Sequence, residues 1–141
     1  EDAKKKGATV LTGGEARPDL GPAFFEPTIL EGVTKEMLAG ETETFGPVVG
    51  LYRYATEDEG VALANDTEYG LAAYLYSRDI ARIWRVAEAL EAGMVSVNAG
   101  QLSADQSPFG GIKQSGLGRE GGRQGLHEYQ EEKTIAMGQM V

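Results

Sequence analysis

Ser107-Pro108-Phe109-Gly110-Gly111-Ile112-Lys113-Gln114-Ser115-Gly116-Leu117-Gly118-Arg119-Glu120 carries more chemistry than any other stretch of this chain. It combines four glycines and a proline with an aromatic ring, two cations and two hydroxyls. Inside a helix or strand each glycine costs about 0.5–1 kcal/mol relative to alanine. The run therefore predicts a long structured loop whose backbone turns tightly or approaches another group closely. Such loops tend to carry function. Gly116-Leu117-Gly118-Arg119-Glu120-Gly121 fits G-x-G-x-x-G. That pattern marks a dinucleotide site only after a strand and at the start of a βαβ helix. Here Pro108 and Gly110-Gly111 precede it, and too little chain follows for a second strand with an acidic ribose ligand. Gly111 and Gly116 have phosphate-loop spacing, but Leu117 stands where that loop needs lysine. Both readings are rejected.

Other reactive side chains are few. Glu41-Thr42-Glu43-Thr44-Phe45-Gly46-Pro47 forms a second irregular stretch with acids beside an aromatic. The run Glu57-Asp58-Glu59 follows Thr56 and reads as a capping box with acids complementing the helix dipole, not as a catalytic pair. His127 is the sole histidine and reads as a surface or helix-end residue; one imidazole does not build a zinc site. There is no cysteine, hence no disulfide and no thiolate ligand. No metal site and no catalytic nucleophile are expected in this segment. Asn65-Asp66-Thr67 is a glycosylation sequon by pattern only.

Composition narrows the partners. With 13 Lys plus Arg against 22 Asp plus Glu, the net charge of -9 argues against nucleic acid and against an anionic membrane surface. No apolar run reaches the roughly 20 residues of a membrane-spanning helix. The chain begins at Glu1 without methionine or a signal-peptide pattern, and reads as a piece of a longer, cytoplasmic protein.

Several elements must hold the two irregular stretches. Glu1 to Lys6 predicts a helix end with Gly7 as its cap. Thr9-Val10-Leu11 and Phe24 to Leu30 predict strands, the second with Pro27 near an edge or a start. A helical turn is expected at Lys35–Gly40. Val48 to Tyr52, Leu71 to Tyr76 and Met94 to Asn98 predict strands, separated by helices capped at Thr56 and Asp79. Ile80, Ile83, Trp84, Ala87 and Leu90 share one face of the second helix, which places Trp84 in the core. Gly93 is expected to end that helix. Strand, helix, strand, helix, strand with short connections predicts two consecutive βαβ units on a parallel sheet. Ligands of such sheets bind beyond the carboxyl ends of the strands, which is where residues 99 to 118 emerge. A short helix at Gly122–Tyr129 and a last strand at Lys133–Gly138 complete the expectation.

Glu43-Thr44-Phe45-Gly46-Pro47, Asn65-Asp66-Thr67-Glu68-Tyr69-Gly70-Leu71-Ala72-Ala73 and Pro108 through Glu120 together resemble three signature stretches of the aldehyde dehydrogenases, in order and at about their spacing. The resemblance spans almost all 141 residues. Asn98-Ala99-Gly100-Gln101-Leu102-Ser103 and Gly118-Arg119-Glu120-Gly121 are nearest to the members that oxidise succinate semialdehyde; glutarate semialdehyde, or an apolar aldehyde, is the alternative substrate. The resemblance implies an α/β fold: the later, Rossmann-like parallel-sheet half of the catalytic domain over residues 1–129, and an assembly strand over 130–141 that makes a homo-oligomer. It implies oxidation of an aldehyde to an acid with NAD or NADP, through a thiohemiacetal and thioester on a cysteine. The missing cysteine puts that nucleophile upstream, so the segment alone is expected to be inactive. A non-catalytic assembly role is the competing class.

Four residues inherit roles from the resemblance. Glu43 matches the acid that accepts hydrogen bonds from the nicotinamide ribose hydroxyls, and Phe45 the aromatic packed near the nicotinamide. Phe109 matches an aromatic of the aldehyde tunnel, and Ser103 a substrate-contacting position. Thr42 stands where the family often has a second glutamate.

Overall fold

A computed structural model describes residues 1–139, and among these described residues seven short strands, four α-helices and one 3-10 helix follow one another along the chain. The contacts divide it into two units, 1–60 and 61–141.

The first unit opens with α1 (Asp2–Lys5), which Gly7 ends in the left-handed conformation (φ +102°) as expected. Strand β1 (Thr9–Thr12) runs antiparallel to β2 (Thr28–Glu31), with an irregular register between Val10 and Thr12. Strand β2 is shorter than its apolar stretch suggests. Pro27 has no N–H for a ladder, so regular pairing starts one residue later; Phe25 makes only a single bridge to Ala16. After β2 come α2 (Leu38–Glu41) and β3 (Val48–Leu51), and β3 pairs parallel with β2 in the register Thr28↔Val48 to Glu31↔Leu51. Ala3, Ala8, Leu30, Val33 and Met37 form the core under this sheet. Thr28 is buried without penalty because its hydroxyl donates to the Glu26 carbonyl (2.7 Å) and accepts from the Gly14 N–H (2.8 Å).

The capping box at the start of α3 (Glu57–Asn65) forms as predicted. The Thr56 hydroxyl accepts from the Glu59 N–H (3.2 Å), and the Glu59 carboxylate accepts in return from the Ala55 N–H (2.7 Å). The first bond satisfies a donor that the first helical turn cannot, and the second reaches back to the residue before the cap.

The second unit holds two small sheets. Strand β4 (Tyr69–Gly70) pairs antiparallel with β7 (Ile112–Lys113). Strand β5 (Ala72–Leu75) pairs parallel with β6 (Met94–Val97), and α4 (Ile80–Ala89) connects them in one βαβ unit. The Asp79 carboxylate caps α4, accepting from the N–H groups of Ala81 (2.9 Å) and Arg82 (3.2 Å).

Four expectations need correction. The ladders of the described residues pair β3 with β2 and β5 with β6, so of the two expected βαβ units only the one built on β5, α4 and β6 shows its parallel pair. Trp84 is not in the core: it is 65% exposed, and Val86 is the buried residue of α4. A two-stranded sheet is too narrow to cover the full apolar face of a ten-residue helix. Gly93 does not cap α4, which ends at Leu90 in extended backbone; Gly93 is absent from the left-handed glycines. Residues 130–139 form no strand, and Ile135 and Met137 are exposed. A strand needs a hydrogen-bonding neighbour, and these residues find none within the described chain.

Candidate active-site loops

The end of β6 is built to turn the chain sharply. Asn98 follows it with φ +54°, a conformation that asparagine tolerates better than most residues. Its N–H donates to the Leu75 carbonyl (2.8 Å), while its side-chain amide donates to the Ser77 carbonyl (2.8 Å) and accepts from the Ser77 N–H (2.9 Å). The segment then released carries Ser103, exposed and outside regular structure. A turn follows in which the Ser107 N–H donates to the Ala104 carbonyl (3.0 Å), and the Gly122 N–H ties the Asp105 carbonyl to the far side of the loop (3.0 Å).

Phe109 and Glu120 close the glycine-rich run by exchanging two backbone hydrogen bonds of 2.7 Å. Inside this bridge, the Arg119 guanidinium donates from Nη1 to the carbonyls of Gly111 (2.8 Å) and Gly118 (2.6 Å). The Ser115 hydroxyl accepts from the Gly70 N–H (2.9 Å). The Lys113 ammonium donates to the carbonyls of Asn65 (3.0 Å) and Thr67 (3.2 Å) and pairs with Glu91. Gly118 has φ +75°, and a Cβ there would lie 2.7 Å from the Glu128 carboxyl atoms. The glycines therefore serve close approach and left-handed turns, as the composition predicts. The G-x-G-x-x-G match opens no helix of a βαβ unit: Glu120 bridges back to Phe109, and the helix that follows is only a 3-10 segment, Gln124–Tyr129. A concavity of about 670 Å³ lies along this loop, lined among others by Leu71, Phe109, Arg119, Glu120, Leu126 and Tyr129. His127 is exposed on the 3-10 segment, as expected.

Asn65 belongs to the scaffold of this loop. Its amide donates to the Ala89 carbonyl (2.8 Å) and accepts from the Glu91 N–H (2.8 Å), so it fastens the end of α3 to the end of α4.

The other two predicted residues lie in the first unit. Glu43 and Phe45 sit between α2 and β3 in an exposed stretch without regular structure. Phe45 is 94% exposed, more than its apolar ring would favour in a finished surface. The structure thus places Ser103 and Phe109 on one continuous loop of the second unit, and Glu43 and Phe45 on one loop of the first. Sequence reasoning missed Ser96, Asn98 and Arg119, whose polar atoms hold the second loop in shape. The signal for Asn98 was present: an Asx residue directly after an apolar strand marks a turn.

Residues 1–135 match the model of the aldehyde dehydrogenase family. The chain is 56% identical over 137 residues to mitochondrial succinate-semialdehyde dehydrogenase of Homo sapiens, covering 97% of this chain and 25% of that protein. It is 54% identical to 3-sulfolactaldehyde dehydrogenase of Pseudomonas putida, covering 97% of this chain and 28% of that protein. The crystal structure of succinate-semialdehyde dehydrogenase from Burkholderia pseudomallei superposes with a TM-score of 0.86 at 60% identity, over 91% of this chain and 26% of that one. The chain thus spans about a quarter of the length of the relatives it matches. With the family model matched over residues 1–135 and the fold shared at this identity, the chain belongs to the aldehyde dehydrogenase family.

Proposed function

We propose that these residues are the C-terminal part of an NAD- or NADP-dependent dehydrogenase that oxidises succinate semialdehyde to succinate. The observation that carries this reading is the loop after β6: it presents the exposed Ser103 and the bridged Phe109 beyond a strand's carboxyl end, in a chain 56% identical to a succinate-semialdehyde dehydrogenase. Ser103 donates a hydrogen bond to the substrate carboxylate, and Phe109 forms an apolar wall for the carbon chain. Glu43 and Phe45 suit a nicotinamide nucleotide chemically. A carboxylate accepts from both hydroxyls of a ribose, and an aromatic ring this exposed offers a flat face to another ring. When bound, the nucleotide supplies the hydride acceptor. The attacking cysteine lies upstream of these residues, so what they contribute is binding and orientation.

The test is Ser103→Ala in the full-length enzyme. A hydrogen bond to a charged group contributes about 1.5–3 kcal/mol. Loss of that bond raises KM for succinate semialdehyde by roughly 10- to 100-fold, since 1.4 kcal/mol is about tenfold. The contact is far from the reacting carbon, so kcat changes less. Equal losses with an uncharged aldehyde would make Ser103 a shaper of the loop and nothing more. The purified 141 residues alone form no reduced nicotinamide above background; activity there would overturn the upstream placement of the nucleophile. A second reading keeps the chemistry and exchanges the anion, favoured by the similarity to the 3-sulfolactaldehyde enzyme, whose substrate ends in a sulfonate. The ratio of kcat/KM for the two aldehydes decides between them. The enzyme of this reading is cytoplasmic, unlike its mitochondrial human relative, and cell fractionation checks that separately. Among the described residues no helix is long and apolar enough to cross a membrane.

A further inference from the structure

We infer that Ser96 and Asn98 are positioning residues that set carboxylate selectivity by fixing the first turn of the substrate loop. The inference rests on the proposed role of that loop in holding the substrate carboxylate.

Ser96 is buried on β6, 6% exposed, where an unbonded hydroxyl would be costly. Its Oγ lies 2.9 Å from the Ala99 carbonyl oxygen and 3.2 Å from that of Gln101. Neither carbonyl belongs to a strand, so one hydroxyl proton is shared between two loop carbonyls. Asn98 stands between Ser96 and those carbonyls in sequence and anchors the start of the same turn to Ser77. Its amide reproduces a peptide pair with Ser77, accepting from the N–H and donating to the carbonyl. It does so at φ +54°, a backbone state that persists when its surroundings over-determine it. Together, the two side chains make four hydrogen-bond contacts to the backbone: Ser96 holds the carbonyls at both ends of Ala99–Gln101, Asn98 ties the residue just before them to Ser77, and Ser103 follows two residues later. The ladder of β6 needs neither side chain, since the register Ala72↔Met94 to Leu75↔Val97 is made by backbone atoms. What their side chains add is the path of the chain after the strand.

A hydroxyl that must meet a carboxylate tolerates little displacement, because a hydrogen bond weakens steeply away from its preferred length and angle. Loss of the clamp should therefore weaken binding of an aldehyde that carries a carboxylate and spare one that does not.

The experiment uses the full-length enzyme and compares Asn98→Gly, Ser96→Ala and Ser103→Ala, with succinate semialdehyde and with butanal, its uncharged four-carbon counterpart. Asn98→Gly keeps the left-handed backbone accessible and removes only the clamp. The expected result is a KM for succinate semialdehyde raised about three- to tenfold in Asn98→Gly and in Ser96→Ala. The kcat stays within about twofold, and kcat/KM for butanal moves less than the KM for the semialdehyde. If Ser103→Ala raises that KM while both clamp variants leave it unchanged, the inference is overturned and the proposed role of Ser103 stands. If the clamp variants act selectively and Ser103→Ala does not, the inference holds and another atom of the loop meets the carboxylate. Equal losses for both aldehydes in the clamp variants overturn the inference as well, because a general loosening does not distinguish a carboxylate. An enzyme that does not oxidise succinate semialdehyde at all overturns both.

Discussion

A Cβ on Gly93 would lie 2.0 Å from the carbonyl oxygen of Gly110, so the start of β6 and the glycine-rich loop touch backbone to backbone. The Gly93 N–H is held at the same time by the Gly70 carbonyl (2.9 Å), which stops Gly93 from backing away. Gly110 sits next to Phe109, whose N–H and carbonyl are committed to Glu120.

Gly93→Ala therefore destabilises the second unit and displaces Phe109. The intruding methyl meets backbone and not the tip of a flexible side chain, so the cost is at or above the ~1–3 kcal/mol typical of overpacking. Thermal unfolding of the full-length enzyme should show a lower Tm, and KM for the aldehyde should rise. A variant that melts with the parent enzyme would mean that this contact relaxes without cost.

Glu43→Gln keeps the shape of the side chain and removes the charge. If the carboxylate holds the nicotinamide ribose, the substitution slows hydride transfer by misplacing the ring. A shift of about 1 Å costs on the order of 100-fold. Single-turnover mixing with succinate semialdehyde reads that step directly, and an unchanged rate would return Glu43 to the status of a solvated turn acid.

Deletion of residues 132–141 from the full-length enzyme should change its state of assembly in sedimentation velocity. We base this on Ile135 and Met137, exposed apolar side chains in a stretch that pairs with nothing among the described residues. A strand in a neighbouring subunit would supply the missing ladder. An unaltered sedimentation coefficient, allowing for the lost mass, would dissociate this segment from assembly.

Asp2 carries a pH dependence of known sign. The Leu38 N–H donates to its carboxylate (2.8 Å), and the Lys6 ammonium lies 2.9 Å away. First the backbone bond and then Lys6 hold the carboxyl below its ordinary value of 3.8. A depressed folded-state pKa stabilises the protein above the unfolded value, and that stabilisation is lost as the pH falls through the folded one. At each pH, the Leu38 amide should exchange hydrogen faster in Asp2→Asn than in the parent. The difference should be full above about pH 5 and should shrink toward zero under strong acid. A difference that did not vary with pH would remove Asp2 as the titrating group.

Local chemistry was legible without a structure where one residue type dictates one local geometry. Thr56 and Glu59 announced their reciprocal cap, Asp79 its two accepted N–H groups, and Gly7 its left-handed helix end. The glycines of residues 110–118 announced a loop of close approaches, and the family resemblance carried by three stretches of the chain agrees with the matched family. Partner choice was not legible. Strand β3 has an apolar pattern that suits any parallel neighbour, and only the assembled backbone pairs it with β2. Trp84 shares a helical face with Ile80 and Ile83, yet how much of that face is covered depends on the width of the sheet beneath it. Gly93 reads as a helix cap by its position and is instead required by Gly110, seventeen residues away. Helix caps and turns are decided by atoms a few residues apart, which the sequence lists side by side. Sheet order, burial and close backbone approach depend on residues far apart in the chain, and only the folded structure brings those together.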